Sequence, residues 1–489
     1  MSRNDTLPNT YSPFRDHDGE TIVLGWQTPS DQATGMGFSQ PPGDTGGRPV
    51  EPIEMGGDGH ILTIAPTGSG KGVSCIIPTL LTYAGPVIVI DPKGENAAVT
   101  AERRRQMGQD VHVIDPFGIS GQEPSRFNPL ELVDPQYADC TDDAAMIASM
   151  ITPVLKTDPY WSNRATQLIT GLILHVCHDM PAGDRNLLKV REILHRASLE
   201  EESVIEALRT SRHNEVRMTH AGISGPAERT RQSIVSIAAD ALDVFRGDSM
   251  MNSLYTSSFD LNAVTRGDPM TIYLVLPPHM MQSHGSVLRM WVGALFSLMC
   301  RRRKRPDMHT LFLIDEAAQL GTFDPLRSSL TLLRGYGVRT WSFWQDPAQI
   351  KRLYPDWETL ISNCQAVQIF GRLGAGSAKG AAEALGIDNP TIFRDLSRDQ
   401  MVVAMNGDDP KLCHRPSYLE DRILSRLAQQ NPFFGDEVPG ESRRPAQSDG
   451  DASNDERQCT LFPLEAYKPW RLMQDERKKV RPYRRRRAS

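Results

Sequence analysis

The amino-acid sequence predicts an α/β protein: a mostly parallel sheet, interrupted by an all-helical insertion. Three observations carry this. Short, continuously apolar runs recur along the chain, each ending in a polar or Pro/Gly turn, as strands covered on both faces do. The first of them, Ile61 to Ile64, leads directly into the glycine-rich stretch APTGSGKGVSC. Between Asp115 and Pro269 the runs stop, and apolar residues return at three- and four-residue spacing, the period of amphipathic helices.

In chain order, residues 1–57 are rich in Gly, Pro, Asp and Ser and read as loop with one strand at Thr21 to Leu24. Strands are expected at Ile61 to Ile64 and within PVIVIDPKGE (86–95), DVHVIDPFG (110–118), MTIYLVLPP (270–278), TLFLIDEAAQLG (310–321), VRTWSFWQD (338–346) and AVQIFGR (366–372). Helices are expected at Ala144 to Leu155, Trp161 to Cys177, Leu187 to Ala197, Glu200 to Thr210 and Ala227 to Phe245. Beyond Pro410 the strands give way to a helix at Tyr418 to Gln429 and then to PAQSDGDASNDERQ, whose composition is that of a disordered linker. The division that follows is an N-terminal loop-rich segment (1–57), a nucleotide-binding domain in two parts (58–136 and 251–410), an inserted all-α domain (137–250), and a C-terminal extension with a basic tail (411–489). At 489 residues the chain has length for about two or three domains.

Charge is unevenly placed. The whole chain carries −6, yet its last 23 residues, from Tyr467, hold ten Lys or Arg against two acids. Bulk charge therefore excludes a generally basic nucleic-acid coat, and any contact with phosphates must be local. The seven cysteines include no C-x-x-C pair and are odd in number, which argues against a disulfide framework or a zinc ribbon and for a reducing compartment. His175, Cys177 and His178 lie close in sequence, but no second ligand pair stands at a matching spacing, and they read as positions on an ordinary helix. The polar first twenty residues do not resemble a secretory signal, and no apolar run has the length of a membrane span.

The chemistry sits in two stretches. Pro66, Thr67, Gly68, Ser69, Gly70, Lys71 and Gly72 follow a strand and precede an apolar helical stretch, the order in which a phosphate-binding loop presents its N–H groups and its lysine to an anion. Two departures stand out: Ala65 replaces the usual first glycine, and Gly72 replaces the serine or threonine whose hydroxyl ligates Mg²⁺. Ser74 or a water is the substitute. The second stretch, LFLIDE, ends an apolar strand in Asp315 and Glu316. An aspartate so placed serves Mg²⁺, and the glutamate after it can accept a proton from an attacking water. Hydrolysis of a nucleoside triphosphate is the leading reading.

DPKGE, LLRGYGVR and FWQDPAQIKRLYPDWETLISNCQAVQIFG are more specific, as are WSNRATQLI (161–169) and YTSSFDL (255–261). With them the chain resembles, from about His60 to Leu396, the coupling-protein ATPases of type IV secretion and conjugative DNA transfer, the TraG-type family. In that family glycine commonly follows the lysine, so Gly72 fits. The resemblance implies a RecA-like P-loop NTPase domain with an inserted all-α domain, using ATP and Mg²⁺ and assembling as a homo-hexamer around DNA. It implies that Lys71 binds phosphate, Asp315 serves the metal, Glu316 activates water, Gln345 senses the γ-phosphate, and Arg334 is presented to a neighbour's nucleotide. The alternative for Arg334 is a surface ion pair. The partners implied are single-stranded DNA with its relaxase and the subunits of a type IV secretion channel.

Such proteins usually carry N-terminal transmembrane helices, and this sequence shows none. The expectation is a cytoplasmic protein peripheral to the cytoplasmic face of the inner membrane. A membrane-anchor protein, direct docking on the channel, or the basic tail on anionic lipid would hold it there. Two other functions are compatible with the motifs: a soluble DNA translocase for segregation or packaging, and a nucleotide-gated docking module that does not translocate. Glu316, Gln345 and Arg334 speak against the second, because docking alone has no use for a hydrolytic set.

Overall fold

In the computed structural model the residues described are 12–14, 17–27, 51–153, 158–197 and 201–433. The linker at 445–458 and the basic tail read from the sequence lie outside them. Eleven strands form one sheet: β1 (Ile22–Gln27), β2 (Glu51–Met55), β3 (His60–Ile64), β4 (Val87–Ile90), β5 (Asp110–Ile114), β6 (Met270–Leu274), β7 (Thr310–Ile314), β8 (Val338–Trp344), β9 (Cys364–Phe370), β10 (Gln400–Met405) and β11 (Lys411–His414). Their order is β2-β1-β11-β10-β9-β3-β8-β7-β4-β6-β5. From β9 to β5 every pairing is parallel. From β9 outward to β2 every pairing is antiparallel. All eight expected strands are present.

The parallel strands are apolar throughout because both faces are covered. Ile88 and Ile90 of β4 point into one buried cluster while Val87 and Val89 point into another, and β7 divides Phe312 and Ile314 from Leu311 and Leu313 in the same way. One face is covered by the segment after β3, a π-helical turn Gly72–Ile76 continuing as the helix Ile77–Thr82, and by the helix Glu95–Gln106. The other face carries the long helix Met281–Cys300 and the insertion.

Between Cys140 and Ser253 the chain is helical, with helices at Cys140–Ile151, Pro159–Asp179, Leu187–Ala197, Glu201–Thr210, Asn214–Ser224, Glu228–Leu242 and Asp248–Ser253. These helices share one continuous core with the sheet. Trp291, in the middle of Met281–Cys300, is fully buried and donates its indole N–H to the Phe127 carbonyl at 3.2 Å. No helix of the described residues is long and apolar enough to cross a membrane.

The structure differs from the sequence reading at the antiparallel edge. Residues 51–55, expected as loop, form β2, and residues 411–414, expected beyond the last strand, form β11. Both are short and half exposed. They are strands because a partner is available: β1 lies between them, bonded to β2 on one side and to β11 on the other. The helix expected at Tyr418 to Gln429 is confined to Arg422–Leu427, started by the Asp421 carboxylate accepting from the amides of Ile423 and Leu424.

His60, at the start of β3, is 1% exposed and accepts a hydrogen bond at Nδ1 from the Thr340 amide at 3.0 Å. Burial, with the Arg334 and Arg339 charges nearby, pulls its pKa down to about 4. Between pH 6.5 and 4 the unfolded chain therefore binds a proton that the fold refuses, and stability falls as pH drops through that window, by about 3 kcal/mol in full. His60→Asn, which retains an acceptor for Thr340, removes this proton. Urea midpoints measured at pH 7 and pH 4.5 will fall further in the wild type than in the variant. Equal acid sensitivity would show that His60 is not the group responsible.

Candidate functional site

The site lies where β3, β4, β7 and β8 end, at the carboxyl edge of the parallel strands, where open α/β sheets place their ligands. The loop Pro66–Gly72 leaves β3 with the Ala65 amide bonded to the Trp344 carbonyl of β8 at 2.8 Å. Its tip is closed by Ser69, whose amide and hydroxyl both donate to the Pro66 carbonyl, at 3.1 and 2.6 Å. Gly68 and Gly70 have φ of +76° and +91°, values at which a side chain is strained, so this turn requires glycine at both places. Gly72 opens the π-helical turn directly after Lys71, and Ser74 lies buried in it, its amide bonded to the Gly70 carbonyl at 2.9 Å. Single π turns of this kind are common at functional sites.

Lys71 extends across the strand ends. Its Nζ is 2.9 Å from Glu316 Oε2 and 3.7 Å from Asp315 Oδ1. Gln345, the residue after β8, donates from Nε2 to the same Glu316 oxygen at 2.7 Å. Glu316 sits at φ +107°, an uncommon conformation for a residue with a side chain and one that gathers at functional sites. The structure thus brings together Lys71, Asp315, Glu316 and Gln345, all singled out from the sequence.

Two further groups complete the cluster. Asp91, which follows β4 and begins DPKGE, is fully buried; it accepts from the Ala97 amide at 2.9 Å and from Asn96 Nδ2 at 3.2 Å. Burial, with Asp315 and Glu95 nearby, pushes the Asp91 carboxyl up to about 7. Burial also raises Asp315, against the pull of the Lys71 ammonium. Asp315 and Glu316 thus share the Lys71 ammonium, Asp91 stands near enough to Asp315 to be raised by it, and the Lys93 charge also acts on Asp315. A divalent cation fits that donor set: oxygen ligands, hard, on rigid strand ends. The Asp315 and Asp91 carboxylates are the groups to hold it.

Arg415 is the other residue that sequence reading did not single out. It follows β11, donates a hydrogen bond from Nη1 to the Ser69 carbonyl, and lies over the Phe370 ring at 5.1 Å. A Cβ at Gly70 would stand 3.3 Å from its guanidinium.

Arg334 is not part of this assembly. It precedes β8, whereas Gln345 follows it, so the two lie at opposite ends of the same strand. Its Nε is 2.6 Å from Asp58 Oδ1, Arg305 pairs with the same carboxylate, and its side chain is 60% exposed. Within one chain it forms a surface ion pair, the alternative that the sequence had left open.

A doubly covered parallel sheet with a lysine-bearing glycine loop on one strand and an Asp-Glu pair on another defines the RecA-like P-loop NTPase fold. The particular family follows from comparison with known proteins. The family "Type IV secretory system Conjugative DNA transfer" matches residues 39–387, and the chain belongs to it. Conjugal transfer protein TraG of Escherichia coli is 27% identical over 341 residues, 65% of this chain and 53% of TraG. Type IV secretion system-coupling protein VirD4 of Bartonella quintana (strain Toulouse) is 23% identical over 426 residues, 77% of this chain and 65% of VirD4. The chain thus spans between about half and two thirds of the length of these relatives. Among solved structures, plasmid coupling protein TrwB in complex with ADP and Mg²⁺ superposes with a TM-score of 0.57 at 14% identity, covering 73% of this chain and 84% of TrwB.

A hydrogen bond from a charged donor is worth about 1.5–3 kcal/mol. Arg415→Ala will therefore leave residues 67–71 less well held, and their amides will exchange with deuterium at least about tenfold faster. The β3 and β9 amides will exchange as before. Unchanged exchange in the loop would mean that Arg415 contributes nothing to its order.

Proposed function

We propose that this chain is an ATP-hydrolysing motor of a type IV secretion or conjugation apparatus, which recruits DNA or a protein–DNA complex and drives it into the channel. The observation that carries this reading is the convergence of Lys71, Asp315, Glu316 and Gln345 on one point at the sheet edge. Family membership gives the substrate class, and TrwB, whose structure holds ADP and Mg²⁺, supports the choice of nucleotide and ion.

In this mechanism the Lys71 ammonium leaves Glu316 for the terminal phosphates of ATP, whose β- and γ-oxygens outcompete a single carboxylate. The loop amides of Thr67 to Gly72 cradle the phosphate chain. Asp315, with Asp91 beside it, would hold Mg²⁺, which would supply neutralisation of charge on the phosphate oxygens. Glu316, released from Lys71, accepts a proton from the water that attacks the γ-phosphate, and Gln345 orients that water by the amide that now holds Glu316. In this mechanism phosphate takes the place that Glu316 holds on Lys71 and so frees the base.

The working form is a homo-hexamer around single-stranded DNA delivered with its relaxase, docked on channel subunits at the cytoplasmic face of the inner membrane. The basic tail supplies charge for an anionic lipid surface, or a separate membrane protein supplies the anchor. Arg334, far from its own chain's Lys71 and exposed, serves the nucleotide of a neighbouring copy.

Lys71→Ala and Glu316→Gln separate the two steps. The first will weaken ATP binding by about 10- to 100-fold, the value of a charged hydrogen bond. The second will bind ATP at least as tightly as the wild type and hydrolyse it about 100- to 10,000-fold more slowly. Equal turnover in Glu316→Gln and wild type would remove Glu316 as the base.

Mixing tests Arg334. Arg334→Ala alone will lose turnover while its assembly state is unchanged, and adding Lys71→Ala protein will restore part of it, because mixed rings contain some interfaces with both residues intact. An absence of rescue at every mixing ratio, with mixed assembly shown by cross-linking, would leave Arg334 with the Asp58 ion pair alone.

A further inference from the structure

Far from the phosphate loop, in the helical insertion, three side chains from separate segments converge. Cys140 begins the helix Cys140–Ile151, His178 lies in the last turn of Pro159–Asp179, and His213 immediately precedes Asn214–Ser224. Their sulfur and nitrogen donors all lie within 4.8 Å of one another. Cys140 Sγ is 3.7 Å from His178 Nε2, and the rings of His178 and His213 have centroids 4.4 Å apart at 49°. His213 Nδ1 is buried without a hydrogen-bond partner. Buried polar atoms without partners are rare, and a bound ion is one of the few explanations they admit.

We propose that Cys140, His178 and His213 form a Zn²⁺ site that fastens together three segments of the helical insertion. The donor chemistry selects the metal: one thiolate and two imidazoles suit a borderline cation of the zinc class and not Mg²⁺ or Ca²⁺, which take oxygen. The spacing agrees as well. With Zn–S of about 2.3 Å and Zn–N of about 2.0 Å at tetrahedral angles, sulfur and nitrogen stand about 3.5 Å apart, close to the 3.7 Å observed between Cys140 and His178. Three protein donors leave the fourth position to water.

The surroundings hold the ligands in place. Asp179, next to His178, accepts from Ser211 Oγ and, at 3.3 Å, from the Arg212 amide, while Ser211 Oγ accepts from the His213 amide at 3.2 Å. The segment that carries His213 is thereby tied to the end of the helix that carries His178. His175 buttresses the same carboxylate, its Nδ1 2.9 Å from Asp179 Oδ2. Such outer partners orient metal ligands and sustain affinity.

The site also accounts for the group His175, Cys177 and His178, in which no metal was expected. Helical geometry disperses it: His175 goes to Asp179, Cys177 turns into the core with its thiol pushed up to about 12, and only His178 faces Cys140 and His213. The ligand set is spread over 74 positions of the chain, so no spacing motif announces it.

The test uses the full-length protein. Purified without chelator and desalted, the wild type will hold one equivalent of zinc per chain by mass spectrometry, and chelation will lower its melting temperature. Cys140→Ser, His178→Gln and His213→Gln will each bind the metal at least about tenfold more weakly, and chelation will no longer shift their melting temperatures. Replacement of zinc by Co²⁺ gives a readout that does not depend on the variants' stability: tetrahedral d–d absorption with a thiolate-to-cobalt band in the wild type, and loss of that band in Cys140→Ser. Unaltered ATP binding in each variant will show that the phosphate loop, and the function proposed for it, stand apart from this site. Wild-type protein that takes up neither zinc nor cobalt, or a cobalt band that persists in Cys140→Ser, would overturn the proposal and leave two packed histidines beside a thiol.

Discussion

The Lys71–Glu316 ion pair is the contact on which the rest of this structure turns. It joins a loop from β3 to the end of β7 across the intervening strand β8, and Gln345 at the end of β8 secures the same carboxylate oxygen. For those three strand ends to meet, the strands must be parallel, in register and apolar along their length, which in turn demands cover on both faces. The doubly packed sheet, the long helix Met281–Cys300 and the helices Ile77–Thr82 and Glu95–Gln106 are the consequence. An ion pair of this kind adds little net stability, since desolvation offsets the attraction. Its value lies in being exchangeable: either partner can be taken over by an incoming charge.

The two edges of the parallel sheet are finished differently. At the amino edge, buried arginines occupy backbone carbonyls. Arg104 reaches the carbonyls of Tyr83 and Gly85 and the Thr271 hydroxyl, and Arg302 reaches those of Val264, Thr265 and Tyr336. Their charges are fully engaged. At the carboxyl edge the polar groups instead face each other, Lys71 and Gln345 on Glu316 and Asp91 beside Asp315. Arg339, also buried at the amino edge, donates to the Gly57 carbonyl but keeps Nε and Nη1 without partners.

Much of this was legible in the sequence, for reasons that also explain what was not. The parallel strands showed themselves because strands covered on both faces are continuously apolar, and the phosphate loop showed itself because its glycines and lysine are local in sequence. β2 and β11 did not, since EPIEM and KLCH are short, half exposed and given their structure by a partner strand. Asp91 stood in a recognised motif, but only its burial beside Asp315 reveals what it contributes. Arg415 reaches Ser69 across 346 positions, and no local pattern encodes a contact of that separation. The same holds for Cys140, His178 and His213, which three segments bring together.

Arg415 also sets an order of events during synthesis. β1, made among the first thirty residues, has its seat against β11, with Trp26 stacked on His414 at 4.5 Å, and the residue after His414 is the arginine that steadies the phosphate loop. Neither contact can form until nearly all of the sheet has left the ribosome. Nascent chains emerge sequentially, and the pairings that span the greatest separation close last. A chain that ends between residues 316 and 415 thus carries the lysine, the glutamate and the glycines but lacks the arginine that bonds the loop at Ser69.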